Sequence, residues 1–364
     1  MCFFSRHGFN RIDAELSTPD LVHQSEALGL GRAGSGAEDV RWDPTVEVEG
    51  DWAPIPLGPR YLDVSHRFVD GIARATLMMW GKSPTGEAIA VVGGVVGAMA
   101  LRADSGRAEV EPERVPHQWH RAVIAFNPAS YGEDELVELD HRLADNGIHR
   151  LPVRPDPTAD GLFRLEISRI QAHSRVTQEM RSLEATALAG SSRPEPTIVD
   201  GSVGIHLGTH DRWTWPVVGV IKQHSQFPLS PTHEFMVVRL PEGHRSPMFR
   251  ISPDATGTRP AMLSWYLRLS GRQASGMSGV VRIELPEPGV NHMDWVERAR
   301  HANELSARLI RLRAARASYS RVSCSLDPVL RIEDRLHAMA GGIKAVKARI
   351  ENALFPNRTA RSMT

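Results

Sequence analysis

At 364 residues, with 43 acidic and 43 basic side chains and a formal net charge of zero, the chain has the length of one large domain or two small ones. It carries no global positive charge that would announce a nucleic-acid partner. The longest apolar run, Ala88 to Leu101, is 14 residues, short of the ~20 that a membrane span needs, so no membrane partner is expected. Two cysteines, Cys2 and Cys324, fit neither a disulfide framework nor a metal motif. The opening MCFFSRHGFNR lacks a signal-peptide core, so the expected location is cytoplasmic.

In chain order, the first 50 residues are polar and Gly-rich and read as a loosely packed N-terminal arm. A single large domain is expected over 51–355, and a basic tail over 356–364. Arg60 to Trp80 reads as strand and Glu87 to Arg102 continues it, with a break expected around Gly93-Gly94. Leu136, Leu139 and Leu143 give helical spacing over Glu133 to Asn146. Ile170, Val176, Met180, Leu183 and Leu188 repeat it over Ile167 to Leu188. Strands are expected near Val199, over Trp215 to Gln223, His233 to Arg239, Met262 to Leu269 and Gly279 to Leu285. Two helices, Met293 to Ala317 and Val329 to Leu354, close the domain. This order predicts a mixed α/β fold with one central sheet flanked by helices.

One pattern occurs twice: Phe68-Val69-Asp70-Gly71 and Ile198-Val199-Asp200-Gly201. Each reads as a buried strand that ends in an aspartate and breaks at a glycine. A carboxylate at the end of an apolar strand is costly unless it is paired or bound to a cation. Two that converge suit a hard divalent ion, Mg²⁺ or Mn²⁺. Alternatively, each Asp-Gly is simply a turn whose carboxylate accepts backbone N–H bonds.

Metal-assisted phosphoryl hydrolysis uses carboxylates on neighbouring strands, often with a further one from a helix. Glu184, on the helix before the Asp200 strand, is the candidate for that third acid, and Glu179 is the fallback. The competing role for Glu184 is a surface acid paired to Arg181. Lys222 follows the apolar strand Val217 to Ile221 and is placed to meet a phosphate as a point charge, or to extend from a strand edge into water. Candidate substrate-binding residues are Tyr266, Arg268, Arg282 and Glu284 on the two late strands. Core packing is the alternative for Tyr266, and a solvent-facing position the alternative for Glu284.

Sixteen histidines do not fall at zinc-site spacing, and His206 and His210 lie in a polar stretch without helical context. Neither a phosphate-binding Walker loop nor a serine nucleophile elbow is present. From Asn291 onward 14 Lys and Arg face 7 Asp and Glu, a local excess suited to a phosphate-facing patch or a solvated helix surface.

Taken together, the order of these segments resembles the NurA nuclease family. The matching marks are Val-Asp-Gly at Asp70, Arg181-x-x-Glu184 and Asp200-Gly-Ser202. They continue with Val218-Gly-Val-Ile-Lys222, Tyr266-Leu-Arg-Leu, Val281-Arg-Ile-Glu-Leu-Pro286, and an Ile-Glu-Asp-Arg-Leu-His stretch followed by Gly-Gly. The resemblance covers roughly residues 55 to 345. It implies an RNase H-like domain and a manganese- or magnesium-dependent DNA nuclease acting as a homodimer. It also implies a HerA-type hexameric ATPase as partner, in DNA end processing or anti-phage defence. Asp70, Asp200 and Glu184 match the family's metal acids, and Lys222 its lysine. Where many members carry a late histidine, this chain has Glu333 or Asp334. The alternative function is a non-catalytic subunit that holds DNA on the ATPase ring.

Overall fold

The computed structural model describes residues 3–6, 9–11, 42–48, 52–59, 66–104, 107–110, 120–154, 164–189, 196–203, 217–222, 229–253, 260–271, 276–289, 291, 293–314 and 325–355. A long hairpin organises them. Strand β1 (His66–Lys82) and strand β2 (Ala88–Asp104) pair antiparallel over their whole length, with one register shift between Leu77 and Met79. The break expected at Gly93-Gly94 does not occur, and β2 runs straight through. These glycines serve close approach. A Cβ on Gly93 would lie 2.7 Å from Cγ of Met78, and one on Gly94 would collide with the Arg74 carbonyl across the pair.

Strand β3 (His120–Phe126) lies antiparallel to β2, and helix α1 (Glu133–Ala144) leads to β4 (Ile148–Pro152), parallel to β3. Helix α2 (Arg164–Ala189) crosses the sheet and delivers β5 (Thr197–Asp200), which pairs parallel to β1. Strand β6 (Val217–Ile221) adds parallel to β5. After helix α3 (Pro231–Val238) come β7 (Phe249–Ile251), β8 (Met262–Arg268) and β9 (Val280–Pro286), and β9 pairs antiparallel to β6. The order across the sheet is β7-β8-β9-β6-β5-β1-β2-β3-β4, with Trp42–Asp43 on the β7 edge.

Helices α4 (Trp295–Arg311), α5 (Asp327–Ala340) and α6 (Ile343–Leu354) finish the described chain. The fold is mixed α/β, a large mixed sheet with helices on both faces. On one face Ala172, Val176 and Leu183 of α2 pack on Val92, Val96 and Val123. On the other, Ile332, Leu336 and Ile350 of α5 and α6 share a core with Ile72, Val91 and Val95, while α4 belongs to the same core nearer β8, where its Ser306 accepts from buried Trp265. Removing such side chains from water is the main favourable term in folding.

Three further expectations change. His233 to Arg239 is not a strand: Ser230 at the cap and Pro231 in the first turn start a helix there. The last helix is two, because Gly341 takes φ +72° and Gly342 starts α6. The first 50 residues are not uniformly loose where they are described. Phe3 and Phe4 are buried against Phe126, and both carboxylate oxygens of Glu47 accept from buried Arg245. The 356–364 tail, Cys2, Cys324, His206 and His210 lie outside the described residues.

Candidate metal centre

Side chains alternate faces along a strand, so one strand places Phe68, Asp70 and Ile72 together. Phe68 and Ile72 belong to the core under α4–α6, as do Ile198, Val218 and Val220. The same alternation therefore carries Asp70, Asp200 and Lys222 to the α5 side of three neighbouring strands. Helix α5 supplies Glu333 from above. Oxygens of Asp70, Asp200 and Glu333 all lie within 4.8 Å of one another. Sequence reasoning named Asp70 and Asp200, and flagged Glu333 only as the occupant of a histidine's place.

Asp70 is 5% exposed. Its Oδ1 accepts the Gly71 N–H at 2.8 Å, while Oδ2 is buried with no hydrogen-bond partner. Burial pushes its carboxyl well above the usual range, and Asp200, Glu184 and Glu333 push the same way against Lys222. A buried orphan oxygen beside two other carboxylates is a donor set that a hard divalent cation satisfies. The residues present fit Mg²⁺ or Mn²⁺.

Lys222 does not reach into water. Its Nζ lies 2.8 Å from Asp200 Oδ2 and 3.8 Å from Glu333 Oε1, and donates to Ser325 Oγ at 3.0 Å. Burial alone would lower the pKa of its ammonium, but Asp200, Asp70 and Glu333 together hold it above the ordinary lysine value. Glu333 is itself pushed up by burial, with Asp200 and Asp334 adding and Lys222 opposing.

Glu184 stands apart from the cluster of three, on helix α2 and so on the opposite face of the sheet. It reaches toward the site through the space left by Gly71. Burial raises its carboxyl to about 8; Asp200 adds, and Arg181 and the Gly71 N–H oppose. Arg67 fixes the end of the same helix, with its guanidinium 2.5 Å from the Ala187 carbonyl. The fallback acid Glu179 is committed elsewhere, to Arg121 and Arg175.

The turn after Asp200 is built by close approach. Gly201 has φ +115°, and a Cβ on Gly219 would lie 2.6 Å from the Gly201 carbonyl. Ser202 Oγ donates to Glu284 Oε2 at 2.6 Å, and Arg282 donates to Glu284 Oε1 at 2.7 Å. Glu284 is buried rather than solvent-facing, and it holds the Asp-Gly-Ser turn.

The other two substrate candidates belong to the fold. Tyr266 is fully buried, its ring stacked 5.7 Å from that of Phe249. Arg268 is 1% exposed and donates to the carbonyls of Leu240, Ser278, Val238 and Gly276. A guanidinium so surrounded fastens two loops and has no face for a ligand. The residues missed from sequence were Ser325 and Arg67, whose roles depend on contacts across 103 and 120 positions.

No family model matches the chain, and no protein of curated function matches it. Among the described residues, no helix is long and apolar enough to cross a membrane.

Proposed function

We propose that the chain is a metal-dependent DNA nuclease of the NurA type. The observation that carries this reading is the cluster itself. Asp70, Asp200 and Glu333, from two strands and a distant helix, meet around a buried carboxylate oxygen that has no partner. The strand arrangement adds support. Three antiparallel strands, β1 to β3, are followed, after α1 and β4, by the crossing helix α2 and two strands parallel to β1, an order compatible with the RNase H-like domain that the resemblance implies.

In this reading Asp70, Asp200 and Glu333 hold Mn²⁺ or Mg²⁺, and Glu184 borders the site from the other face. Bound there, the ion supplies Lewis-acid polarisation of a phosphate oxygen and a more acidic water. Lys222 and Ser325 keep the Asp200 carboxylate in one orientation, and Glu284 keeps the turn behind it. The HerA-type ATPase partner, the homodimer and a role in end processing or defence come to the proposal from the resemblance alone. Cleavage of linear DNA with Mn²⁺ is the test, comparing the native chain with Asp70→Ala in the presence and absence of chelator. Chelator-sensitive degradation that the variant loses supports the reading. No degradation, even with a cognate ATPase present, leaves the non-catalytic DNA-holding subunit as the better account.

A further inference from the structure

The ammonium of Lys222 is the one cation within the acidic cluster among the described residues. It is not a passing contact. Three groups hold it: Asp200 Oδ2 at 2.8 Å, Ser325 Oγ at 3.0 Å and Glu333 Oε1 at 3.8 Å. Its side chain is 8% exposed, and Ser325 is 1% exposed. Strand β6 leaves it little freedom, because Val220 is paired both to Asp200 on β5 and to Ile283 on β9.

Two-metal phosphoryl-transfer sites place their ions about 3.5–4 Å apart, with a shared carboxylate between them. Mg²⁺ sits at about 2.0–2.1 Å from its oxygen ligands. Here the carboxylate placed to be shared is Asp200, and Nζ already takes up one of its oxygens. A second divalent ion bridging Asp200 Oδ2 and Glu333 Oε1 would need the volume that Nζ fills. It would also meet a positive charge at contact distance. On the other side the orphan Asp70 Oδ2 is without any partner. With Asp70, Asp200 and Glu333 all deprotonated, as ligands to a cation must be, the one ammonium leaves two negative charges, which one divalent ion neutralises.

We propose that Lys222 is a built-in substitute for the second metal, so that this centre takes one divalent ion and not two. This rests on the metal-centre reading above. In that arrangement Lys222 is a positioning residue. It fixes the Asp200 carboxylate for the single ion and supplies the positive charge that a second ion would otherwise bring.

The experiment is calorimetric titration of the full chain with Mn²⁺, counting ions per chain, with no substrate present. The native chain is expected to take one ion at the site, with binding lost in Asp70→Asn. Lys222→Met, and Lys222→Gln as a second variant in case the first does not fold, are expected to take two. Ser325→Ala keeps the ammonium and is expected to remain at one. Two ions on the native chain, both lost in Asp70→Asn, overturn this inference and leave the metal centre standing. One ion on every folded Lys222 variant overturns it as well. No Mn²⁺ bound by the native chain overturns the metal-centre reading and this inference with it.

Discussion

Gly71 and Glu184 meet in a space that no other residue at position 71 would leave open. A Cβ on Gly71 would lie 2.8 Å from Oε1 of Glu184 and 2.9 Å from Cγ of Met180. Glu184 is 3% exposed and takes part of its hydrogen bonding from the Gly71 N–H. Gly71→Ala is therefore expected to push the Glu184 carboxylate out of place and to destabilise the fold by about 1–3 kcal/mol, as overpacking does. Denaturant unfolding measures the second effect. A chain as stable as the native one would mean that α2 shifts freely, against the packing described.

Asp70 has a buried carboxylate oxygen without a partner, and burial disfavours its charged form unless a cation is bound. In metal-free buffer Asp70→Asn is expected to unfold several degrees above the native chain, because the amide removes the cost of burying a carboxylate and with it the repulsion from Asp200, Glu184 and Glu333. Adding Mn²⁺ should reverse that order. An ion at a hundred times its dissociation constant stabilises the native chain by about 2.7 kcal/mol, and the variant should gain nothing. Thermal melts of both proteins with Mn²⁺ and with chelator test both halves.

Glu284 acts on Asp200 through the turn between them. Glu284→Gln retains the size of the side chain but weakens the bond to Ser202 and the ion pair with Arg282. Mn²⁺ affinity is expected to fall about tenfold, in the range of outer-shell substitutions at metal sites. Ser202→Ala should reproduce part of that loss, and the double variant should lose less than the sum. Strictly additive losses would separate Glu284 from the turn.

His173 gives the chain a pH-dependent stability. It is 7% exposed on α2, and burial lowers its pKa from the ordinary 6.5 to about 4, with the Arg169 charge adding. Between those values the unfolded chain binds a proton that the folded chain refuses. The stability His173 permits is thus whole above pH 6.5 and is lost as pH falls toward 4, on the order of 3 kcal/mol across the window. His173→Gln should flatten that slope in urea titrations at pH 7 and pH 5. An unchanged slope would place the titration in other groups.

Arg268 serves the fold and does not touch the metal centre. Arg268→Met leaves four carbonyls without this donor, those of buried Leu240 and Ser278 and of half-buried Val238 and Gly276. A loss of at least ~3 kcal/mol is expected, since each unsatisfied buried acceptor costs about 1–3 kcal/mol. Mn²⁺ affinity of whatever remains folded should match the native value.

The strand half of the centre was legible in the sequence. Apolar alternation in Phe68-Val69-Asp70, Ile198-Val199-Asp200 and Val218 to Lys222 requires that the three polar residues share a face if the strands are neighbours. The helix half was not. Nothing local separates Glu333 from Asp334 or Glu184 from Glu179, because the choice is made by how α5 and α2 seat on the sheet. Glu184 fitted the pattern on which the resemblance rests, yet α2 lies on the far face. Tyr266 and Arg268 were misleading for a related reason. Every residue of β8 is buried, so alternation there does not tell a ligand-facing side from a packed one. The helix at Pro231 was signalled by Ser230-Pro231, and the division of the last helix by Gly341-Gly342. In both places apolar content outweighed the punctuation.

The three clustered carboxylates stand at positions 70, 200 and 333 of 364. While the chain is being synthesised, the two aspartates can be in place long before α5 has left the ribosome, and Lys222 then has only Asp200 and Asp70 for company. The centre is completed only when α5 follows the strands that carry the two aspartates. A chain truncated before Glu333 would lack the third carboxylate together with Leu336 and Ile350, which pack in the core with Ile72 and Val95, so the centre and that part of the core depend on the same late segment.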